Sequence, residues 1–495
     1  MHVLGIDGGT ESLRAQIFHV DGTSVGHASA PYDTAFSAGG RAEQASEDWW
    51  RAMGGAVRSV LSATGVPPEE IVALSVATTS CTVVALDADG APLRPAILWM
   101  DMRASQEAED LLATGDPALA LNGAGQGPVS AEWMIPKALW LARHEPEVFD
   151  RAATIGEFQD FMTLRLTGRR AASLSNIALR WHYGSSSYGW PLTLLSAAGI
   201  PELAAKWPQD ILAPGDPIGP LTAASAAYLG LSPRTVVIQG GVDALIGLVG
   251  LGVARPGQLA LITGSSHLQF GVTDHEAHAA GLWGTYRDAV YPGRYLIEGG
   301  QTSTGSIIAW LRRLTGDSDL SLLNEKAARL GPGADGLLVL DHFQGNRTPY
   351  TDPLSRGAFV GLSLHHGPEH LMRAIMEGVG FGTRLIIERM AEAGFAAEEI
   401  TLGGGAARSD LWLQIHADTA RLPIVVRETS AAPSLGAAIL AAKGAGLFPS
   451  IDAGIEAMVR PGRRILPRQD QADEYDALYR RYRALYPALK GVAQQ

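Results

Sequence analysis

Two segments in opposite halves of the chain share one pattern: a β-rich run, a turn of small residues and a second β-rich run. The first has apolar runs at 2–6 and 13–19 around Asp7-Gly8-Gly9-Thr10, and the second has runs at 258–262 and 268–272 around Thr263-Gly264-Ser265-Ser266. Such runs around a glycine-containing turn are typical of β-hairpins. We therefore predict a duplicated α/β architecture, with both turns facing a cleft between halves 1–240 and 241–495.

Further β-rich runs and helical patterns alternate through both halves. The β-rich runs are at 71–76, 82–86, 235–239, 398–402 and 424–426. Apolar residues recur at helical spacing at 102–113, 132–144, 158–166, 369–390, 411–420 and 434–445. This alternation favours the α/β class, and the length of 495 residues favours two or three domains.

The charge balance disfavours a nucleic-acid-binding role. The chain has 39 Lys+Arg against 51 Asp+Glu, a formal net charge of −12, whereas affinity for phosphate backbones comes largely from Lys and Arg. The one cysteine, Cys81, excludes an intrachain disulfide and suits a reducing compartment. The N-terminus has no secretory pattern, and no run of about 18 apolar residues follows, so we expect a cytoplasmic protein with no membrane partner.

Both turns carry groups that suit phosphate binding. Backbone N–H groups and the Thr10 hydroxyl can bind phosphate oxygens, while Asp7 can hold Mg²⁺ through water. Arg14 reaches this turn only if the second strand keeps its register. The alternatives are an ordinary acidic turn at Asp7 and an ordinary serine-rich turn at Thr263–Ser266. Neither turn matches the Walker pattern, so a phosphate-binding enzyme here requires a different architecture.

Asp243 stands between a β-rich run and a segment of small apolar residues. A carboxylate at such a transition can accept the proton of a substrate hydroxyl that attacks a γ-phosphate. An aspartate at a helix start is equally typical of an N-cap, so the position alone leaves both roles open. The triple glycine 403–405 could lie against a flat heterocycle or be a simple connection.

Taken in order, these segments resemble the FGGY family of carbohydrate kinases. The most specific stretch is 345–381, GNRTPYTDPLSRGAFVGLSLHHGPEHLMRAIMEGVGF. The resemblance implies an α/β, two-domain, actin-like and hexokinase-like (ribonuclease H-like) fold with a central cleft. It also implies an N-terminal sugar-binding domain, a C-terminal ATP-binding domain, and phosphorylation of a ketose or sugar alcohol by ATP with Mg²⁺.

The resemblance implies a role for individual residues. Asp243 falls at the position of the catalytic base, and Asp7 and Asp243 would hold Mg²⁺ through water. The residues implied to bind ATP are Gly8, Gly9, Thr10, Arg14, Thr263, Gly264, Ser265, Gly305, Gly404, Gly405 and Ser409.

Substrate contacts are implied at Ser80, Cys81, Asp101, Glu298 and Asp243. The Gln-x-His common in xylulose kinases is replaced by Thr79-Ser80-Cys81, which argues against a xylulokinase and favours a ribulose-type pentulose. Met102 stands where ribulose-type kinases often have histidine, so other ketoses and four- or five-carbon sugar alcohols stay open. Cys81 has a second interpretation, as a small buried apolar residue.

A second class of function shares the same fold. A catalytically weak sensor would bind a sugar and a nucleotide without transferring phosphate. The expected partner is a small-molecule sugar or polyol, and the composition is compatible with a homodimer.

Overall fold

The computed structural model describes residues 1–316, 319–428 and 431–493. In the first half the strands are β1 His2–Gly8, β2 Ser12–His19, β3 Ser24–Pro31, β4 Ala35–Ser37, β5 Arg41–Gln44, β6 Ile71–Thr78, β7 Val83–Leu86, β8 Ala96–Ile97, β9 Thr154–Glu157, β10 Ala171–Ser173, β11 Asp210–Leu212, β12 Pro217–Pro220 and β13 Val236–Val242. In the second half they are β14 Gln258–Thr263, β15 His267–Thr273, β16 Trp283–Arg287, β17 Tyr295–Gln301, β18 Leu338–Leu340, β19 Ala358–Val360, β20 Glu399–Gly404, β21 Ile424–Val426 and β22 Arg463–Ile465.

Helices cover both central sheets. The first half has α1 Ser46–Thr64, α2 Ser105–Ala113, α3 Met134–His144, α4 Pro146–Arg151, α5 Phe158–Thr167, α6 Leu174–Arg180, α7 Leu192–Ala197, α8 Leu203–Lys206, α9 Ala223–Leu229 and α10 Asp243–Leu251. The second half has α11 Gly305–Thr315, α12 Leu320–Ala328, α13 Pro368–Glu392, α14 Asp410–Ala420, α15 Ala432–Gly444, α16 Ile451–Met458 and α17 Ala472–Ala493.

The two central sheets have the same strand arrangement, which confirms the predicted duplication. The first has the order β12-β13-β6-β1-β2-β3, and the second contains β22-β21-β20-β14-β15-β17 with β16 added at one edge. In both, an antiparallel hairpin (β1–β2, β14–β15) is followed in space by two parallel strands. Each hairpin pairs on one side with a third antiparallel strand.

Helices α10 and α15 pack against each other near the junction of the two halves. Their backbones approach so closely that a β-carbon on Gly436 would lie 2.0 Å from the Ile246 carbonyl oxygen, and one on Gly250 would lie 2.0 Å from that of Ala432. Both helices are almost entirely apolar and belong to a core cluster that includes side chains of both central sheets. This helix pair therefore joins the two halves through close backbone contact rather than through long side chains.

The element predictions agree with the structure to within a few residues at each end. The boundary predicted at 240 falls inside β13, which pairs with β6 in the first sheet, and the second sheet begins at Gln258. The domain limits 1–240 and 241–495 stay a prediction. In the described part of the chain no helix combines the length and apolarity needed to cross a membrane.

Candidate active site

A cavity of about 770 Å³ lies between the two halves. The ends of β13 and β14, the loop after β6 and the glycines after β20 all reach it. Of the residues predicted from the sequence, those that line it are Thr10, Ser80, Cys81, Asp243, Glu298, Gly404 and Gly405. The cleft predicted between two like halves is thus present, and it contains groups from the proposed sugar side and the proposed phosphate side.

Asp243 is the first residue of α10 and faces this cavity. Val242 is at the N-cap position and makes no side-chain cap, while the Asp243 carboxylate accepts a hydrogen bond from the adjacent Ala244 N–H at 2.6 Å. Burial, and secondarily the charge of Asp7, raise the pKa of Asp243 to about 7, against the opposing effect of the Ala244 N–H. A carboxyl group with a pKa near neutrality is suited to general-base work.

Asp7 ends up beside Arg14 because the β1–β2 register places the two residues directly opposite each other. The Arg14 guanidinium lies 3.8 Å from the Asp7 carboxylate, so the condition set on Arg14 by the sequence is met. Burial raises the pKa of Asp7, and the charge of Arg14 opposes this rise. Asp7 is close enough to Asp243 for its charge to raise the pKa of that group. Two neighbouring carboxylates, each made less acidic by its surroundings, form an oxygen donor set that suits Mg²⁺.

Glu298 is held in a buried ion pair that links the two halves. Nη2 of Arg180, at the end of α6, donates to both carboxylate oxygens of Glu298 on β17, at 2.9 and 2.7 Å. Nη1 of Arg180 donates to the Tyr286 hydroxyl, which in turn donates to Asn122 Oδ1 at 2.9 Å. The Arg180 guanidinium also lies 4.7 Å from the ring centroid of Trp283. Both charged groups line the cavity, so the pair forms a polar part of its wall.

The loop after β6 brings Ser80 and Cys81 to the cavity wall. Cys81 is 4% exposed and has φ of 59°, in the left-handed region, and burial raises the pKa of its thiol to about 12. Buried Lys137 donates to the carbonyl oxygens of Cys81 at 2.8 Å and Leu98 at 2.5 Å. Cys81 is therefore buried, as one interpretation held, and at the same time part of the predicted site.

Asp101 does not reach the cavity. Its carboxylate is fully buried, accepts the Ala42 N–H at 2.6 Å and pairs with Arg103 at 2.8 Å. Those contacts hold its pKa below the ordinary value despite burial. The structure places Asp101 behind the site, where it anchors the loop that carries Trp99, whose indole N–H donates to Thr10 Oγ1 at 3.0 Å.

The start of α11 packs against the second turn, Thr263–Ser266, and hydrogen-bonds to it. Thr304 N–H donates to the Ser265 carbonyl at 2.9 Å and Gly305 N–H to that of Gly264 at 3.2 Å. A β-carbon on Gly305 would lie 2.3 Å from the Gly264 carbonyl oxygen, so only glycine allows this approach. Gly264 and Ser265 are exposed at the tip, whereas Thr263 is buried and donates to the Gly403 carbonyl at 2.7 Å.

Gly404 and Gly405, at the end of β20, pack on the same turn. Gly404 has φ of 93°, and a β-carbon there would lie 2.0 Å from the Thr263 carbonyl oxygen. Gly404 and Gly405 are exposed to the cavity, but the Ser409 hydroxyl accepts from Trp412 N–H at 3.2 Å as the N-cap of α14 and donates to Asn324. Gly8 and Gly9 lie in the first hairpin, where the Gly9 N–H closes the turn on the Ser12 carbonyl at 3.1 Å. Ser409, Gly8 and Gly9 thus have structural roles next to the cavity.

The sequence did not indicate several polar and aromatic residues of the cavity wall. They are Glu132, Trp133, Arg180, Trp283, Arg347, Arg408 and Arg427. Within the described ranges, neither Arg347 nor Arg408 makes an ion pair. Most of these residues stand in segments without a local sequence pattern. Arg347 and Arg408 are exceptions, because Arg347 stands in the 345–381 stretch and Arg408 four residues after Gly404. A search for cationic residues near these motifs could have found both.

Both domains of one enzyme family match the chain. The N-terminal domain of the FGGY family of carbohydrate kinases matches residues 2–250, and the C-terminal domain of the same family matches residues 259–445. The chain therefore belongs to the FGGY family of carbohydrate kinases. The predicted two-domain actin-like fold and the prediction of an ATP-dependent carbohydrate kinase are confirmed, and nothing supports the sensor alternative.

Particular relatives extend over nearly the whole chain. It is similar to ribulokinase from Shouchella clausii, with 31% identity over 98% of this chain and 94% of that protein. It is also similar to xylulose kinase from Bacillus subtilis, with 28% identity over 99% of this chain and 98% of the relative. The crystal structure of xylulose kinase from Rhodospirillum rubrum is 29% identical, covers 99% of each chain and has a TM-score of 0.89.

Proposed function

We propose that this carbohydrate kinase phosphorylates a terminal hydroxyl of a ribulose-type pentulose with MgATP, with Asp243 as the general base. The similarity to ribulokinase supports the choice of pentulose. The Thr79-Ser80-Cys81 sequence, which stands where xylulose kinases commonly have Gln-x-His, favours ribulose over xylulose. The single buried cysteine fits a cytoplasmic location.

The position of Asp243 carries this proposal. Its carboxylate lines the same cavity as the Arg180–Glu298 pair, Ser266 and the glycines at 404–405. A sugar bound against the ion pair would present a terminal hydroxyl to Asp243, with the γ-phosphate approaching from the second turn. The carboxylate then accepts the hydroxyl proton as the oxygen attacks phosphorus.

Kinases of this family use ATP with a divalent metal ion, and we assign it to Asp7 and Asp243. When bound, Mg²⁺ would offset negative charge on the transferring phosphoryl oxygens. Arg347 and Arg408 add positive charge to the cavity wall. Arg408 suits the phosphate oxygens of ATP, whereas the Arg347 guanidinium lies 4.5 Å from the ring centroid of Trp283, at the sugar end. The Trp99 indole holds the Thr10 hydroxyl in place at the first turn.

At the sugar end, carboxylates can accept hydrogen bonds from several hydroxyl groups. Glu132 and Glu298 both line the cavity, and Ser80 adds a hydroxyl group. Trp133 and Trp283 supply apolar surface against which the carbon face of a sugar can pack. Asp101 does not contact the sugar in this proposal, and it contributes only by anchoring the loop that carries Trp99.

The test is a coupled ADP-release assay with D-ribulose, L-ribulose, D-xylulose, erythritol and ribitol. We expect the highest kcat/KM with a ribulose isomer, and we expect Asp243→Asn to lower kcat by about 100- to 10,000-fold. ATP binding by the variant, measured by calorimetry, should be retained. The matched control is Asp274→Asn, an exposed aspartate outside the cavity, which should leave kcat unchanged.

Two results would overturn parts of the proposal separately. A best substrate other than a ribulose isomer would overturn the substrate assignment while leaving the base in place. Wild-type turnover by a folded Asp243→Asn variant would overturn the base assignment whatever the sugar.

A further inference from the structure

Three potential metal ligands meet on the surface of the second half, outside the cavity. Asp335 lies in the turn Ala334–Gly336, His365 lies in the loop before α13, and His370 lies in the first turn of α13. The distance from Asp335 Oδ2 to Nε2 is 3.3 Å for His370 and 3.9 Å for His365. One ligand atom from each of the three lies within 4.8 Å of the other two.

A neighbouring group orients one of these side chains. The His365 Nδ1 lies 2.7 Å from the Ser363 hydroxyl, which leaves Nε2 directed at Asp335. His370 is buried, with its side chain 9% exposed, whereas the side chains of His365 and Asp335 are 59% and 55% exposed. Hydrogen bonds to the distal nitrogen of this kind hold metal-binding histidines in position.

We propose that Asp335, His365 and His370 form a binding site for a divalent transition-metal ion, with Zn²⁺ as the best match. Two imidazoles and a carboxylate are ligands that Zn²⁺ accepts at about 2.0–2.2 Å, which corresponds to ligand-to-ligand separations of about 3.3 Å in a tetrahedron. The His370–Asp335 separation already has that value, and small rotations of the exposed His365 and Asp335 side chains close the others. Mg²⁺ prefers oxygen ligands and does not fit this set.

Zinc binding requires one change in the free protein. The Gly367 N–H donates to His370 Nδ1 at 3.0 Å, so neutral His370 carries its proton on Nε2, which faces Asp335. On metal binding the ring takes the other tautomer, and the Gly367 N–H turns to solvent. Gly367 is only half-buried, so water can replace that hydrogen bond.

The bound ion would cross-link one segment to two others that follow it about 30 residues later in the chain and are contiguous with each other. These are the turn at 334–336, the loop at 361–367 and the first turn of α13. The exposed side chains of His365 and Asp335 leave a fourth position open to water. None of the three ligands lines the cavity, so this site is distinct from the one that contains Asp243.

The test is titration of the full-length enzyme, purified without a histidine tag and stripped with chelator, with ZnCl₂ in excess MgCl₂. The excess Mg²⁺ keeps Zn²⁺ from the carboxylates of the cleft. We expect one Zn²⁺ per chain by calorimetry, a rise in Tm on Zn²⁺ addition, and visible absorption bands on substitution with Co²⁺.

The position of the bound Zn²⁺ is tested by comparing variants of the proposed ligands with a variant elsewhere on the surface. His365→Ala and Asp335→Asn change exposed side chains and should each weaken Zn²⁺ binding at least about 10-fold. His275→Ala removes another exposed histidine, which pairs with Asp274 at 2.8 Å, and should leave binding unchanged. Absence of stoichiometric Zn²⁺ binding in the wild type, or equal affinity in His365→Ala and Asp335→Asn, would overturn the proposal.

Discussion

At the scale of single residues, the site depends on two carboxylates whose surroundings make them weaker acids. The pKa of Asp243 rises to about 7 because the group is buried in the cleft and faces the negative charge of Asp7. Asp7 itself is only partly neutralised, since its one ion pair in the described ranges is with Arg14 at 3.8 Å. Repulsion between Asp7 and Asp243 lowers the stability of the protein without metal. Under the proposed function, the same repulsion favours binding of a cation and of a proton at this place.

The first prediction is a pH dependence of both activity and stability. The proposed base, Asp243, must be ionised to act, so kcat/KM should fall as pH drops below about 7. The raised pKa means that folded Asp243 holds a proton that the unfolded chain, at an ordinary value of 3.8, releases. The penalty on stability is therefore absent below about pH 4 and complete above about pH 7.

Asp243→Asn removes this penalty and serves as the measurement. Its Tm should exceed that of the wild type at about pH 8, by the equivalent of about 4 kcal/mol, and this difference in Tm should shrink toward pH 5. A gap that does not change with pH would contradict the raised pKa.

The second prediction concerns the Arg180–Glu298 pair. Arg180→Met leaves a buried carboxylate without its cation and should destabilise the protein by about 3–5 kcal/mol. The double variant Arg180→Met/Glu298→Met removes both charges and should recover much of the lost Tm in thermal unfolding. If the double variant is as unstable as the sum of both single variants, the two side chains are not coupled.

At the scale of elements, α10 and α15 depend on glycine at their contact. The third prediction is that Gly436→Ala lowers the free energy of unfolding by about 1–3 kcal/mol. Alanine favours a helix by about 1 kcal/mol over glycine, but its β-carbon would lie 2.0 Å from the Ile246 carbonyl oxygen, so the clash dominates. Chemical denaturation measures the change.

The matched control for this contact is Gly331→Ala. Gly331 has no atom within 4 Å of an added β-carbon and no positive φ, so its substitution should leave stability within about 0.5 kcal/mol of wild type. Equal stability of the two variants would show that the helices can separate at no cost.

At the scale of the whole molecule, the cavity has walls from both halves. Arg180, Glu132 and Ser80 come from the first half, whereas Glu298, Arg347 and Arg408 come from the second. The chain as a whole carries a net charge of −12, yet folding gathers arginines around the cleft. Local positive charge, together with turn amides, thus offsets the acidic surroundings for a polyanionic nucleotide.

The fourth prediction follows because the two halves of the chain each supply part of the cavity wall. Without sugar the halves lack a ligand that bridges them, so water exclusion is incomplete and the reacting groups are not aligned. We expect ATP hydrolysis without sugar to be on the order of 100-fold slower than transfer to the best pentulose. Comparable rates with and without sugar, measured by ADP release, would show that the site is complete without substrate.

Local patterns account for most of the secondary structure and for the centre of the site. The hairpins around Asp7 and Thr263 were predictable because alternating apolar residues and glycine turns act over short distances. Asp243 was visible as a carboxylate at a strand–helix transition, and its choice as base came from the family resemblance. Arg180 and Trp283 were not predicted, because neither stands in a local motif and their contact depends on how a helix of the first half packs against a strand of the second.

The sequence by itself determined the α/β class and the duplicated hairpins, since these follow from periodicity and local turn chemistry. Only the tertiary structure decided that Asp101 is committed to Arg103, that Glu298 is paired with Arg180, and that Asp335 meets two histidines. Those outcomes depend on which distant side chains share a buried space, because burial and charge pairing are properties of the packed molecule rather than of any segment.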